Sequence, residues 1–94
     1  MEYKVCSINS FRLLELTLFR TEKEFDKKKP AIIYIVVPKG MEGYRRMAEA
    51  RATSYKTMGT AVKILMENKD KKEIEAIINK CLKARVIQNP SIWG

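Results

Sequence analysis

Basic side chains with tyrosines between them are the residues of this chain best suited to bind a ligand. Lysine and arginine attract phosphate groups, and an aromatic ring can stack on a nucleic-acid base. Tyr44 and Tyr55 lie among such basic residues. The sequence therefore predicts a stripe on one long helix that contacts nucleic acid, made of Lys39, Arg45, Arg46, Lys56 and Lys63.

The alternative interpretation of this stripe is a solvated face without a ligand. Glu42 and Glu49 interrupt the row of positive charge. Surfaces rich in lysine and glutamate are also typical of thermophilic proteins, where they form ion-pair networks. The run "KKK" at residues 27–29 is likewise interpreted as a solvated loop, because blocks of like charge repel one another and stay hydrated.

The composition gives little support to catalysis. The chain has 94 residues, with 19 Lys and Arg against 11 Asp and Glu, and a formal net charge of +8. Histidine is absent, which removes the commonest general base and the commonest metal ligand. No pair of carboxylates stands out either. We therefore predict a protein that is not an enzyme and holds no cofactor and no metal.

The two cysteines are predicted to be reduced. Cys6 and Cys81 lie far apart in the sequence, and each falls in an apolar pattern. Two thiols are too few for a disulfide scaffold or a zinc site. Buried free thiols without a catalytic role are therefore expected.

Strand patterns dominate the first third of the chain. Residues 31–37, "AIIYIVV", are almost uniformly apolar, which predicts a central strand covered on both faces. Residues 2–9 alternate weakly and predict another strand. Residues 11–20 favour a third strand, followed by a short helix to about residue 28 that begins at a capping box of Thr21 and Glu24. A single helix over residues 10–28 is the alternative.

Two helices are predicted in the rest of the chain. A long helix runs from about residue 41 to residue 68, and a shorter amphipathic helix runs from about residue 70 to residue 85. The expected fold is α+β. One domain over residues 1–94 contains a small sheet of about three strands, packed by the long helix and the shorter C-terminal helix.

The long helix carries a row of residues at alternating spacings of four and three, which predicts a helical seam. Its members are Tyr44, Ala48, Arg51, Tyr55, Met58, Val62 and Leu65. Either the seam joins two copies of the chain, or it belongs to one wide apolar stripe against the protein's own sheet, with Arg51 at the margin of the stripe. Arg51 favours a homodimer, because an arginine buried alone in a monomer core would be very costly, whereas a partner's glutamate could pair with it.

Targeting signals are not found. The start, "MEYKVCSINS", has no basic region followed by an apolar stretch. The longest pure apolar run, "AIIYIVV", is far too short to span a bilayer. A cytoplasmic protein without membrane contact is expected.

The general character of the chain resembles that of the small single-domain proteins of crenarchaeal viruses. The shared features are the short length, the richness in lysine, isoleucine and glutamate, the lack of histidine, and the stretch "SINSFRLLELTLFR" that leads into an apolar strand. Some of the proteins that it resembles bind DNA, and others are anti-CRISPR proteins that block a host effector complex. The resemblance implies a dimer and a partner-binding role.

The sequence thus predicts a small, basic, dimeric protein that contacts nucleic acid. The alternative is a protein-interaction module or inhibitor that docks onto a host macromolecular complex. Salt distinguishes the two, because counterion release makes nucleic-acid binding weaken steeply as salt is added. A protein interface built on Met, Tyr and Trp is expected to be less sensitive to salt.

Overall fold

The part of the chain that the structure describes contains five strands and three α-helices. The computed structural model describes residues 2–10 and 13–89. The elements, in order, are β1 (Val5–Ser10), β2 (Leu14–Phe19), α1 (Glu22–Asp26), β3 (Ile32–Val37), a short 3₁₀ turn (Glu42–Tyr44), α2 (Arg45–Thr57), β4 (Val62–Met66), α3 (Lys71–Leu82) and β5 (Arg85–Asn89).

The strands form one mixed sheet with the order β4-β3-β2-β1-β5. β1, β2 and β3 make an antiparallel meander, in which Cys6 is paired with Leu18 and Leu16 with Tyr34. β4 is parallel to β3, and β5 is parallel to β1. A parallel pair requires the chain to cross back along the sheet between its strands. α2 makes this crossing before β4, and α3 makes it before β5.

Each face of the sheet is covered by one helix. α3 packs on one face and α2 on the other, and alternate residues of β3 belong to the two cores. The buried residues of the α3 core are Cys6, Leu16, Leu18, Val36, Leu65, Ile74, Ile77 and Cys81. Those of the α2 core are Leu13, Ile33, Ile35, Val37, Ala48 and Ala52. The prediction of a central strand covered on both faces at residues 31–37 is confirmed.

The prediction of a strand followed by a short helix before residue 28 is also confirmed for the described residues. Leu14–Phe19 forms β2, while residues 11 and 12 lie outside the described part of the chain. Thr21 caps α1, because its side-chain oxygen accepts a hydrogen bond of 3.0 Å from the backbone N–H of Glu24. The single-helix alternative is wrong, since β2 pairs with a strand on each side.

The prediction of one helix from residue 41 to residue 68 is wrong. α2 ends at Thr57, and Gly59 adopts a φ of +84°, which glycine tolerates far better than other residues. The backbone N–H groups of Gly59 and Thr60 donate to the carbonyls of Lys56 and Tyr55 at 2.9 and 3.0 Å. These two bonds make a Schellman motif, which stops the helix and turns the chain towards β4.

The sheet has five strands, whereas about three were predicted, because β4 and β5 were not recognised as strands. β4 was assigned to the long helix, because Val62 and Leu65 happen to continue its helical spacing. β5 was assigned to the last helix and the tail, although α3 ends at Leu82, before the predicted residue 85. Both strands lie at the edges of the sheet and depend on pairing with distant residues.

The prediction of reduced cysteines is wrong, because Cys6 and Cys81 form a disulfide. Their Cα atoms are 5.5 Å apart, within the usual range for a disulfide. Cys6 lies on β1 and Cys81 in the last turn of α3, and both are almost completely buried. The bond therefore ties the end of α3 covalently to the sheet. Its partners are separated by 75 residues, so no local pattern could have paired them.

Reduction of this disulfide should lower the free energy of unfolding by about 4 kcal/mol, because the bond removes conformational entropy from a large loop of the unfolded chain. Urea unfolding with and without a phosphine reductant measures the difference. The control is a thiol count on the unfolded, unreduced protein, which should be zero. Equal unfolding free energies for the oxidised and reduced forms would contradict the assignment.

Candidate functional site

The strand directions bring separate segments of the chain to one end of the sheet. β1, β3, β4 and β5 begin at this end, and β2, α2 and α3 finish there. We call it the basic end, because the described residues there include ten basic and four acidic side chains. The basic ones are Lys4, Arg20, Lys23, Lys27, Lys28, Lys29, Lys56, Lys80, Lys83 and Arg85. The acidic ones are Glu2, Glu22, Glu24 and Asp26.

The opposite end of the sheet is close to neutral over the described residues. Its basic side chains are Lys39, Arg45, Arg46, Lys69, Lys71 and Lys72. Its acidic side chains are Glu42, Glu49, Glu67, Asp70 and Glu73. Among the described residues, the positive charge is thus concentrated at one end, and the sheet topology concentrates it there.

The lysines of the basic end are available to an external anion. The two arginines there are engaged, with Arg20 3.5 Å from Glu24 and Arg85 3.1 Å from Glu22. The Arg85 guanidinium also lies 5.6 Å from the centre of the Phe25 ring. The lysines have no ion-pair partner among residues 2–10 and 13–89, so their charges are not neutralised within the described fold.

Lys28 occupies a backbone position that favours glycine. Its φ is 55°, in the left-handed region. The N–H groups of Lys28 and Lys29 donate to the carbonyls of Phe25 and Glu24 at 3.0 and 2.9 Å, which is the same Schellman motif that follows α2. There the chain uses Gly59, but here it places a lysine, at a cost of about 1 kcal/mol. A strained backbone that keeps a charged side chain favours a functional role for that side chain.

The predicted nucleic-acid stripe is not one continuous surface. Lys39, Arg45 and Arg46 lie at the opposite end of the sheet, and only Lys56 lies at the basic end. Lys63 lies on β4 instead of the helix and donates a hydrogen bond of 2.6 Å to Glu73 on α3. This bond and the charge of Glu73 raise the pKa of the Lys63 ammonium. The stripe depended on a helix that ends earlier than predicted.

The predicted dimer seam is also divided by the end of α2. Tyr44, Ala48, Arg51, Tyr55 and Met58 belong to α2 or its caps, whereas Val62 and Leu65 lie on β4. Ala48 and Leu65 are buried inside the protein's own cores. Met58 is 77% exposed at the end of the helix. A homodimer stays a prediction, but these residues do not form the continuous helical seam that motivated it.

Arg51 is paired within its own chain. Its Nε donates to Oε2 of Glu15 on β2, and its Nη2 donates to the hydroxyl of Tyr55 at 2.8 Å. The Tyr55 hydroxyl in turn donates to Oε1 of Glu15 at 2.5 Å. Glu15 is 5% exposed, so the two donors satisfy a carboxylate that would otherwise be buried at high cost. The network anchors α2 to the sheet and accounts for Arg51 without a second copy of the chain.

The described residues offer neither a metal cluster nor a membrane span. No group of three or more His, Cys, Asp or Glu side chains among them is placed to hold a metal ion. No described helix is long and apolar enough to cross a membrane.

The lysines of the basic end were mostly missed from the sequence. The run at residues 27–29 was visible, but it was interpreted as a solvated loop because its position relative to other charges was unknown. Lys4, Lys80 and Lys83 lie at opposite ends of the sequence and carry no local signal. The parallel pairing of β1 with β5 and the disulfide between β1 and α3 bring them together.

The Tyr55 network predicts a pH dependence of stability. Burial, together with the hydrogen bond to Glu15, raises the pKa of Tyr55 from 10.0 to about 12. Because the folded state favours the neutral phenol, Tyr55 contributes stability that is fully present below pH 10 and is lost as the pH rises towards 12. The unfolding free energy of the wild type should therefore fall across this range.

Urea unfolding at several pH values, with wild type and Tyr55→Phe, measures the effect. The variant should show a shallower fall, and part of the fall should persist because burial also raises the pKa of Tyr34. An identical pH slope in wild type and variant would show that Tyr55 is not held neutral by the fold.

Comparisons of the chain with protein-family models, with curated proteins and with solved structures found no match. We therefore base the proposed function on the charges, contacts and burial of the protein's own residues.

Proposed function

We propose that this protein binds nucleic acid through the lysines of the basic end. The proposal rests on the lysines without ion-pair partners at this end of the sheet. The described residues of the basic end include ten basic side chains and only four acidic ones. Lysine heads are compact point charges on flexible stems, which suits contact with the phosphates of a nucleic-acid backbone. Each phosphate contact releases counterions and so favours binding at low salt.

The chemistry of the basic end supports binding without base readout. Proteins recognise guanine mainly through arginine, which donates two hydrogen bonds to the edge of the base. Arg20 and Arg85 are already held by glutamates of the same chain. Contacts from the remaining lysines to phosphates fix position but carry no sequence information directly. The proposed activity is therefore general binding to a phosphate backbone with weak sequence preference.

The proposed surface differs from the stripe that the sequence predicted. Of its five residues, Lys56 alone contributes to the basic end, and Arg45 is paired with Glu49 at 3.2 Å. The class of partner is unchanged, but the contact moves from the side of a helix to the end of the sheet. The protein-docking alternative becomes the explanation if no nucleic acid binds.

The first test compares two triple variants that remove the same amount of charge at opposite ends of the sheet. Lys27→Gln, Lys28→Gln and Lys29→Gln together neutralise part of the basic end. Lys69→Gln, Lys71→Gln and Lys72→Gln are the matched control, and all six side chains are exposed. Binding to mixed-sequence duplex DNA and to RNA is measured over a series of salt concentrations.

We expect the basic-end variant to bind more weakly and to lose about three units of the slope of log K against log salt, since each phosphate contact contributes about one. The control should lose less than one unit. Equal losses in the two variants would place the contact elsewhere. A wild type that binds neither DNA nor RNA at low salt would rule the proposal out and leave the protein-docking alternative.

A second test uses the backbone strain at Lys28. Lys28→Gly should raise the free energy of unfolding by about 1 kcal/mol, because glycine relieves the left-handed backbone. The same change should weaken nucleic-acid binding, because it removes one cation of the basic end. Lys27→Gly is the control. Its φ is −85°, so the control loses a charge without any relief of strain. A Lys28→Gly variant with unchanged affinity would show that the lysine is not kept for binding.

A further inference from the structure

A recess opens at the basic end between the start of β1, the end of α3 and the start of β5. Its volume is about 290 Å³. It is lined by Glu2, Tyr3, Lys4, Lys80, Lys83, Ala84 and Arg85. This space is large enough to admit a phosphate group together with part of the nucleotide that carries it.

The recess has a surplus of positive charge. The Arg85 guanidinium is held by Glu22 on α1, so its charge is already compensated. The three lysines have no ion-pair partner among the described residues. Against them stand Glu2 and the carbonyl end of α3, which carries the equivalent of about half a negative charge. Three positive charges therefore exceed about one and a half negative ones, and an anion would reduce the repulsion among the lysines.

The end of α3 accounts for only part of this cluster. Lysines near the last turn of a helix interact favourably with its carbonyl end, which is a structural reason for Lys80 and Lys83. Lys4 is not part of α3 but lies immediately before β1, so the preference for lysine in the last turn of a helix does not explain it. Lys4 therefore adds a third lysine to the lining of the recess, from a second element of the fold.

A disulfide and a backbone hydrogen bond hold the walls of the recess in place. The disulfide joins Cys6, two residues after Lys4, to Cys81, which lies between Lys80 and Lys83. The backbone N–H of Arg85 donates to the carbonyl of Lys4 at 3.0 Å. The three lysines therefore extend from elements whose relative positions are set before a ligand arrives, which lowers the entropic cost of binding.

From this arrangement we infer that the recess takes the terminal phosphate of a nucleic-acid strand. The inference rests on the proposed function and names the part of the nucleic acid that this pocket holds. A terminal phosphomonoester carries about −1.5 to −2 charges at neutral pH, against one for an internal phosphodiester. A terminal group can also enter a recess end-on, whereas a continuous backbone would lie across the surrounding surface.

The test compares short single strands of one sequence that end in a 5′-phosphate, a 3′-phosphate or hydroxyl groups only. Fluorescence anisotropy gives the affinity of wild type, of Lys80→Gln with Lys83→Gln, and of the matched control Lys71→Gln with Lys72→Gln. The control removes two exposed lysines from the first turn of the same helix, at the opposite end of the sheet. Circular dichroism verifies that each variant is folded.

We expect wild type and control to bind one of the phosphate-ended strands about tenfold more tightly than the hydroxyl-ended strand, the gain of one charge-assisted hydrogen bond. The end that is preferred gives the polarity of the bound strand. The Lys80 and Lys83 variant should lose this preference while still binding all three strands. Equal wild-type affinity for the three strands would overturn the terminal-phosphate inference and leave the proposed function standing. Absence of binding to every strand would overturn both.

Reduction of the disulfide supplies a second readout. If the bond positions the lysines, a phosphine reductant should diminish the preference for the phosphate-ended strand and have less effect on the hydroxyl-ended strand. A reduced, folded protein that keeps the full preference would show that the disulfide does not position this site.

Discussion

Parallel pairing at both edges of the sheet is the constraint on which the rest of the structure depends. Each parallel strand must start at the same end as its neighbour, so the helix before it has to run back along the whole sheet. A strand of six residues is about 20 Å long, and a helix of 13 residues is about as long. α2 and α3 match this length, whereas a helix continuing to residue 68 would extend far beyond the sheet.

Two different kinds of bond attach these crossing helices to the meander. α3 is tied to β1 by the buried disulfide, and α2 is tied to β2 by the hydrogen bonds of Arg51 and Tyr55 to Glu15. The small side chains of Ala48 and Ala52 let α2 approach the sheet closely but bury little area of their own. The hydrogen bonds of Arg51 and Tyr55 to Glu15 therefore help to fix the orientation of α2 on the sheet, which contacts of two alanines alone would not do. On the α3 side, Ile74 and Ile77 supply apolar burial as well.

The same topology gathers charge at one end, which has a cost in stability. Lysines from four segments of the chain lie at the basic end, and Lys28 adds backbone strain to their mutual repulsion. The disulfide joins β1 to the end of α3, close in sequence to Lys4, Lys80 and Lys83, and stabilises the fold there. Under the proposed function, a polyanion would bind this surface and offset these costs, and the recess would be the place where a single phosphate meets several cations.

Local patterns in the sequence were sufficient for the elements that depend on nearby residues. The apolar run of β3, the capping of α1 by Thr21 and the apolar stripe of α3 could all be read directly, because each is determined within a few residues. The net charge and the α+β class were equally accessible. Gly59 is a sequence signal for the end of α2. The signal was outweighed because Val62 and Leu65 of β4 happen to continue the helical spacing.

Tertiary structure alone decided which distant residues meet. The partners of the disulfide, the pairing of Arg51 with Glu15 and the parallel alignment of β5 with β1 all join segments that are far apart in the chain. A periodic pattern shows which face of an element is buried, but it does not name the surface that buries it. For this reason the sequence by itself determined that the protein is basic, and only the fold determined where its positive charge is concentrated.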